Sequence, residues 1–438
     1  AMVLRLGWML TQTVPRNLFG ICRGTAVDGK DGLTDWLSDK IDAAAKLPPR
    51  DKPLTFGQLW GNADPERLID LRMVTTNLSQ GKPYELPLQS FEFFYDPDEW
   101  ATLFPSYVMT ALAKAPPARP DNAKADDVRD FESDEAAAAA HQPSLRRLPG
   151  PADLPVIVAT RLSLSFPLLI SAIPVWIVEH RSGAATFGKH WFTDGGFCSN
   201  FPVHMFDSAL PSRPTFAINL GTADKTWQPS PDQRENLKFV TTNRGGLSLP
   251  YQEVPDHGLA AVTGFAVGAF NTSRNWSDNS YLRYPGHRDR TVLIKQSKAE
   301  GGLNLYMESD VILELANRGR EASKVLVERY NTPQFPMKGQ RETTFTAWDN
   351  HRWTRYRALV GAMPTFLSGF ANGRAAFGLN PAEQSSYGLG KADQALAETL
   401  LGKLDEAAAI AAAADPKAIG RLVDEPRPRA VIRRVPPI

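Results

Sequence analysis

The chain has 438 residues, 42% hydrophobic and 22% charged, which is material for one large or two to three ordinary domains and excludes an intrinsically disordered polypeptide. The formal net charge is +1, with no long Lys/Arg block, so no bulk field recruits nucleic acid. The two cysteines, Cys22 and Cys198, exclude a disulfide framework and show no metal-ligand spacing, which points to a reducing, cytoplasmic setting.

The elements follow in chain order. The N-terminus reads as no signal peptide, and the Ala before Met2 reads as a cloning remnant. Residues 3–15 form a helical tail ending at Pro15. Asp31 to Leu37 opens a helix with Thr34 as its N-cap, because Leu33, Trp36, Leu37 and Ile41 keep helical spacing. Leu54–Trp60 is a turn and short helix. Leu68–Leu78 is β-branched and apolar and reads as a strand, followed by a turn at Gln80–Pro83 and a strand near Tyr84–Leu88. Phe91–Tyr95 is a further strand, and Glu99–Leu112 is a helix. Residues 115–150 are rich in Pro, Ala, Asp and Arg and read as a polar, acidic surface insertion, partly helical.

An apolar run resumes at Leu154 and carries Ser163, Ser165, Pro167 and Pro174. The stretch Ser165–Val178 is too short, and too interrupted by proline, to cross a bilayer. Val175–Val178, His190–Asp194, Thr215–Gly221 and Thr291–Ile294 read as strands. Leu259–Phe270 and Ser309–Tyr330 read as helices, and residues 222–250 as loops. From 331 onward the pattern is helical, with Trp348–Leu359 and Ala392–Ala413, then a Pro/Arg-rich tail. Strands alternating with helices over 54–330 predict an α/β domain at 1–330 with a helical C-terminal extension at 331–438.

The chemistry concentrates in His190-Trp191-Phe192-Thr193-Asp194-Gly195-Gly196, followed by Asn200-Phe201-Pro202. A buried strand ends in a carboxylate and a glycine pair. The pair would let the backbone take positive φ and come close to another group. An acid so placed can act as a base, whereas the plain alternative is an Asp-Gly turn. None of the seven histidines falls in a zinc pattern, and no Gly-rich phosphate loop occurs, so neither a metal nor a cofactor is implied.

Four blocks resemble the patatin-like phospholipase family of Ser-Asp dyad acyl hydrolases, over about residues 25–330. They are Asp31–Leu37 with Leu54–Leu59, then Leu71–Leu78, then Ala159–Pro167, then Phe192–Gly196 with Asn200–Pro202. The resemblance implies a three-layer α/β/α sheet domain, N-terminally incomplete. It makes Asp194 the dyad acid that takes a serine proton, with Gly195 and Gly196 as the supporting loop. It also implies lipid acyl-ester hydrolysis without metal, an acyl-ester or lipid substrate, and peripheral membrane contact.

The family's nucleophile lies in a G-x-S-x-G elbow, and no such sequence occurs in the 438 residues. Gly246-Leu247-Ser248-Leu249-Pro250 comes nearest, while Ser163 and Ser165 belong to a packing stretch. A parallel sheet without its first strands would leave an apolar edge, covered by a missing N-terminal segment or a homodimer. The alternative is an inactive relative that binds lipid or protein, with Trp348 and Trp353 as a contact surface. The near-zero net charge argues against a strong, purely electrostatic hold on anionic lipid, and a local basic patch around Arg283–Arg290 is the remaining route to one.

Overall fold

The fold is that of a computed structural model, which describes residues 7–22, 24–26, 30–61, 67–119, 125–181, 184–222, 227–239, 254–297, 300–301, 304, 306–331, 347–377, 390–424, 426–427, 429–430 and 432. The strands are β1 (Gly20–Cys22), β2 (Met73–Asn77), β3 (Lys82–Leu86), β4 (Phe93–Tyr95), β5 (Arg146–Arg147), β6 (Leu168–Ile170), β7 (Ile173–Arg181), β8 (Ala184–Asp194), β9 (Ala217–Thr222), β10 (Leu237–Phe239) and β11 (Thr291–Gln296). The chain divides into two compact units. One holds Ala1–Asn200 with Ala269–Asn275, and the other holds Phe201–Gly268 with Trp276–Pro436.

In the first unit six strands form one sheet in the order β3-β2-β8-β7-β4-β5, and every pairing in it is antiparallel. This corrects the expected parallel sheet. Two of its neighbouring pairs, β2–β3 and β7–β8, are separated by only a few residues in the chain, and connections so short permit only antiparallel neighbours. Parallel pairing is confined to β1 with β6 and to β9 with β11.

Helices cover both faces of this sheet. On one face the helix Val156–Leu164 packs on β2 and β8, and its Val158 and Leu162 join Phe56, Phe93, Trp100, Ile173, Val175 and Phe192 in the main core. On the other face, Phe94 and Val178 pack with Ala138 of the helix Ala125–His141 and with Leu145. Phe93 and Phe94 alternate between the two cores, as neighbours on a strand must. The 115–150 stretch therefore supplies a layer of the fold, not only surface. Arg147 fixes it: the buried guanidinium meets Glu135 at 2.7 Å and lies over the rings of Phe94 and Phe131.

Several element boundaries differ from expectation. The helix Leu33–Ala44 is capped at Gly32, whose N–H donates to Asp35 at 3.0 Å, and Thr34 lies within the helix. The strand expected over Leu68–Leu78 is ordered as β only over Met73–Asn77, where it gains two neighbours. The helix expected over Glu99–Leu112 is two helices, Pro97–Trp100 and Ser106–Lys114, because Pro105 cannot continue the first.

The second unit has a three-stranded sheet, β10-β11-β9, with the helix Ser309–Asn331 packed on β11 through Ala322 and Leu326. The helices Ala347–Phe377, Lys391–Ala413 and Pro416–Asp424 follow and pack on one another. Among the described residues β9 is an edge strand without charge or proline, and its Phe216-side face exposes Ile218 and Leu220. Among the described residues no helix is long and apolar enough to cross a membrane.

Candidate functional site

Asp194 is the last residue of β8, and a single 3-10 turn, Gly195–Phe197, follows it. Its strand is held from two sides. Thr75 of β2 pairs with Asp194, and the Thr75 hydroxyl lies 2.7 Å from the Leu162 carbonyl and 2.9 Å from the Thr193 carbonyl. The Ser165 carbonyl accepts the Asp194 N–H at 3.1 Å and also the Thr193 hydroxyl. Thr75, Thr193 and Ser165 are fully buried, so these bonds are shielded from water. The end of the helix Val156–Leu164 thus fixes the place of the carboxylate.

Space requires the first glycine, which faces backbone, while the second faces only side-chain ends. A Cβ on Gly195 would sit 2.1 Å from the Val74 carbonyl oxygen, and one on Gly196 would sit 2.4 Å from Asn200 Oδ1 and 2.9 Å from Asp194 Oδ1. Neither glycine has a positive φ, which corrects the expected reason for them. Close approach, not left-handed backbone, selects glycine here.

Asp194 Oδ1 accepts the Gly196 N–H at 2.6 Å, and among the described residues Oδ2 takes no hydrogen bond. Burial pushes the carboxyl above its ordinary value, against the pull of the Gly196 N–H and the Arg274 charge. A half-buried carboxylate with one free oxygen and a raised proton affinity can accept a proton from a neighbouring hydroxyl. Three residues on, the Phe197 ring stands 6.0 Å from Phe166 and 5.6 Å from Phe270. Asn200 reaches Asn275 at 3.4 Å.

No serine hydroxyl among the described residues meets this carboxylate. Ser165 is fully buried and donates to the Arg161 carbonyl at 2.6 Å. Ser163 lies half-buried on its helix with no contact to Asp194. Ser248 falls outside the described residues. His190 occupies the same face of β8 four residues away, about 13 Å along the strand, and its Nδ1 lies 3.2 Å from Asn77 Nδ2. Burial lowers its proton affinity, against the pull of Glu179, whose carboxylate lies 3.7 Å from Nε2. Among the described residues no group of three His, Cys, Asp or Glu could hold a metal.

Arg161 was not singled out by sequence. It is fully buried, and its nearest acceptors are the Ser165 hydroxyl at 3.3 Å and the Ser171 carbonyl at 3.4 Å. Its Nε has no hydrogen-bond partner, and burial lowers its pKa to about 10. A signal was present, since Arg161 follows Val158 at helical spacing on an otherwise apolar face. Arg274 and Phe270 gave no such signal, because only the fold brings the Arg274 charge within reach of Asp194 and the Phe270 ring against Phe197.

The basic patch expected around Arg283–Arg290 does not form at Arg288 and Arg290. Both are buried: Arg290 pairs with Asp207 at 3.0 Å and also bonds Thr215, while Arg288 donates to the Arg427 carbonyl at 3.0 Å. The Arg283 side chain lies outside the described atoms. Asp207 also holds Arg355 at 2.8 Å, and His287 sits against both guanidiniums, its pKa lowered to about 4 by burial. Of the two tryptophans, Trp348 is half-buried and stacks on His351, whereas Trp353 is 58% exposed and stacks on Tyr356.

The chain is similar to a protein named "RpoH suppressor" from Rhizobium meliloti (strain 1021), with 32% identity over 415 residues. The match takes in 82% of this chain and 58% of that protein, so the chain spans less than two thirds of its relative. No family model matches the sequence. No solved structure matches it either.

Proposed function

We propose that this chain is the acid-bearing part of a patatin-like lipid acyl hydrolase. Asp194 is its proton acceptor, and Gly195 and Gly196 bring the acid's loop against β2. The observation that carries the reading is the placement of Asp194. The carboxylate ends a buried strand, is fixed through Thr75, Thr193 and Ser165, and keeps one oxygen free. In the reaction, a serine hydroxyl loses its proton to Asp194 Oδ2 as its oxygen attacks the acyl carbonyl. The alkoxide leaves with that proton, and water then releases the acyl group by the same route in reverse. The chain contains no G-x-S-x-G, so in this reading the serine comes from further polypeptide.

The test is ester turnover. The 438-residue chain alone should not hydrolyse p-nitrophenyl butyrate. A longer polypeptide that restores a G-x-S-x-G segment ahead of it should, and Asp194→Asn should abolish that turnover. Turnover that survives Asp194→Asn removes the acid from the mechanism.

A second reading, a binding module without catalysis, is favoured by one feature. The exposed Trp353 and Tyr356 stack beside Leu210 and Pro211, with Asp349 and Arg352, around a cavity of about 380 Å³. An amphipathic aromatic pair with a charged rim is a common contact surface.

A further inference from the structure

Cys22 is one of the chain's two free thiols, and it is exposed. It ends β1, where Gly20 and Cys22 share one face because side chains alternate along a strand. That face is turned to residue 171, since a Cβ on Gly20 would lie 2.2 Å from the Ser171 nitrogen. The Ser171 hydroxyl donates to the Cys22 carbonyl at 3.0 Å and to the Asn17 carbonyl at 2.9 Å. From the other side, Arg161 Nη2 donates to the Ser171 carbonyl at 3.4 Å. Ser171 thus stands between an exposed thiol and a guanidinium that is 0% exposed.

That guanidinium is short of acceptors. Its bonds to Ser165 and Ser171 are long, at 3.3 and 3.4 Å, and its Nε has none. Among the described residues no carboxylate pairs with it. Burial lowers its pKa to about 10, and the charge of a Cys22 thiolate acts against that fall. Arg161 is therefore a cation at neutral pH, within reach of a negative charge at Cys22. A guanidinium presents a planar fork of N–H donors that fits two oxygens carried on one atom. A thiol supplies no such oxygens, whereas a sulfinate supplies two and a full negative charge.

We infer that Cys22 is a site of oxidation by hydroperoxides, and that Arg161 receives the sulfinate so formed. In the first step the thiolate sulfur attacks the outer oxygen of the hydroperoxide. The S–O bond forms, the O–O bond breaks, and the hydroxyl proton passes to the departing alkoxide, which leaves a sulfenate and an alcohol. A second hydroperoxide repeats the step and leaves the sulfinate; each step oxidises the sulfur by two electrons and reduces one peroxide to an alcohol. Exposure admits the peroxide, and the neighbouring cation favours every anion along the way. The inference stands apart from the acyl-ester reading, since it uses neither Asp194 nor a further serine.

The test treats the full chain at neutral pH with excess tert-butyl hydroperoxide and follows oxygen gain at Cys22 and Cys198 by peptide mass spectrometry. Cys22 should gain two oxygens roughly 10-fold faster than Cys198. In Arg161→Met the Cys22 rate should fall roughly 10-fold while the Cys198 rate holds. The oxidised chain should also melt about 3 °C above the untreated one, because the buried cation has gained a partner, and Cys22→Ser should lose that rise. Equal rates at the two cysteines overturn the inference, as does a Cys22 rate that ignores Arg161→Met. An interchain disulfide in place of the sulfinate, or a melting temperature that oxidation leaves unchanged, overturns it too. Faster oxidation of both cysteines in Arg161→Met marks Arg161 as merely structural and does the same.

Discussion

Gly195→Ala is the sharpest perturbation of the loop that holds Asp194. The added Cβ would lie 2.1 Å from the Val74 oxygen and 2.6 Å from its carbonyl carbon. Ordinary contact begins near 3.4 Å, so the two backbones must part by roughly 1.3 Å. Neither side can yield freely. Val74 precedes Thr75, which pairs with Asp194, and Val74 itself pairs with Glu85 of β3. Losing the hydrogen bonds at the Thr75 and Asp194 pair costs about 2 kcal/mol, and overpacking adds about 1–3 kcal/mol. The sum is about 4 kcal/mol, near 8–16 °C in the melting temperature of a unit of this size. The assay is urea unfolding with thermal melting. Gly268→Ala is the control, since a Cβ there meets nothing within 4 Å and a helical Gly→Ala gains about 1 kcal/mol. A Gly195→Ala protein within about 0.5 kcal/mol of the original would refute the close approach as the reason for the glycine.

Three further outcomes follow from the same contacts. Asp194→Asn should raise stability at neutral pH. The folded carboxyl has its proton affinity raised, so the stability it contributes is full below the ordinary carboxylate value and lost as pH rises through the folded value. The gap between the two proteins should therefore open with rising pH in melts from pH 3 to 8, and a constant gap would contradict it. Arg161→Met should be neutral or stabilising by about 1–3 kcal/mol in urea unfolding, because it removes a buried charge without a carboxylate partner. That charge penalty persists up to about pH 10 and is relieved only above it. Asp207→Asn should cost about 3–5 kcal/mol, since it strands the buried Arg290 and the nearly buried Arg355; a loss under 1 kcal/mol would show that the cluster is not an ion pair in water.

Much of the first unit could be read from residue pattern. The strand that ends at Asp194 was legible at its C-terminal end though it begins earlier, at Ala184, and in the second unit the helix from Ser309 lies where expected while the one from Ala347 runs on to Phe377, well past the expected Leu359. Strand direction could not be read, because hydrophobic pattern reports burial and not the sense of the neighbouring strand. The second layer was also hidden. Ala138 and Leu145 sit in a polar, alanine-rich stretch whose average composition masks two buried contacts with Phe94 and Val178. The basic patch failed for a related reason: Asp207 lies more than seventy residues before Arg290, and sequence alone cannot pair them. At the candidate site, Asp194 and its glycines were legible because the chemistry is local. Arg274 and Phe270 were not, since they come from a helix far along the chain.

The claim that Asp194 is an active-site acid in need of a serine is tested most directly by fluorophosphonate labelling. The account predicts no label on the 438-residue chain, and one labelled serine once a G-x-S-x-G segment is restored, with the label lost in Asp194→Asn. A serine of the 438 residues that takes the label by itself, or labelling of the restored polypeptide that ignores Asp194→Asn, would contradict it.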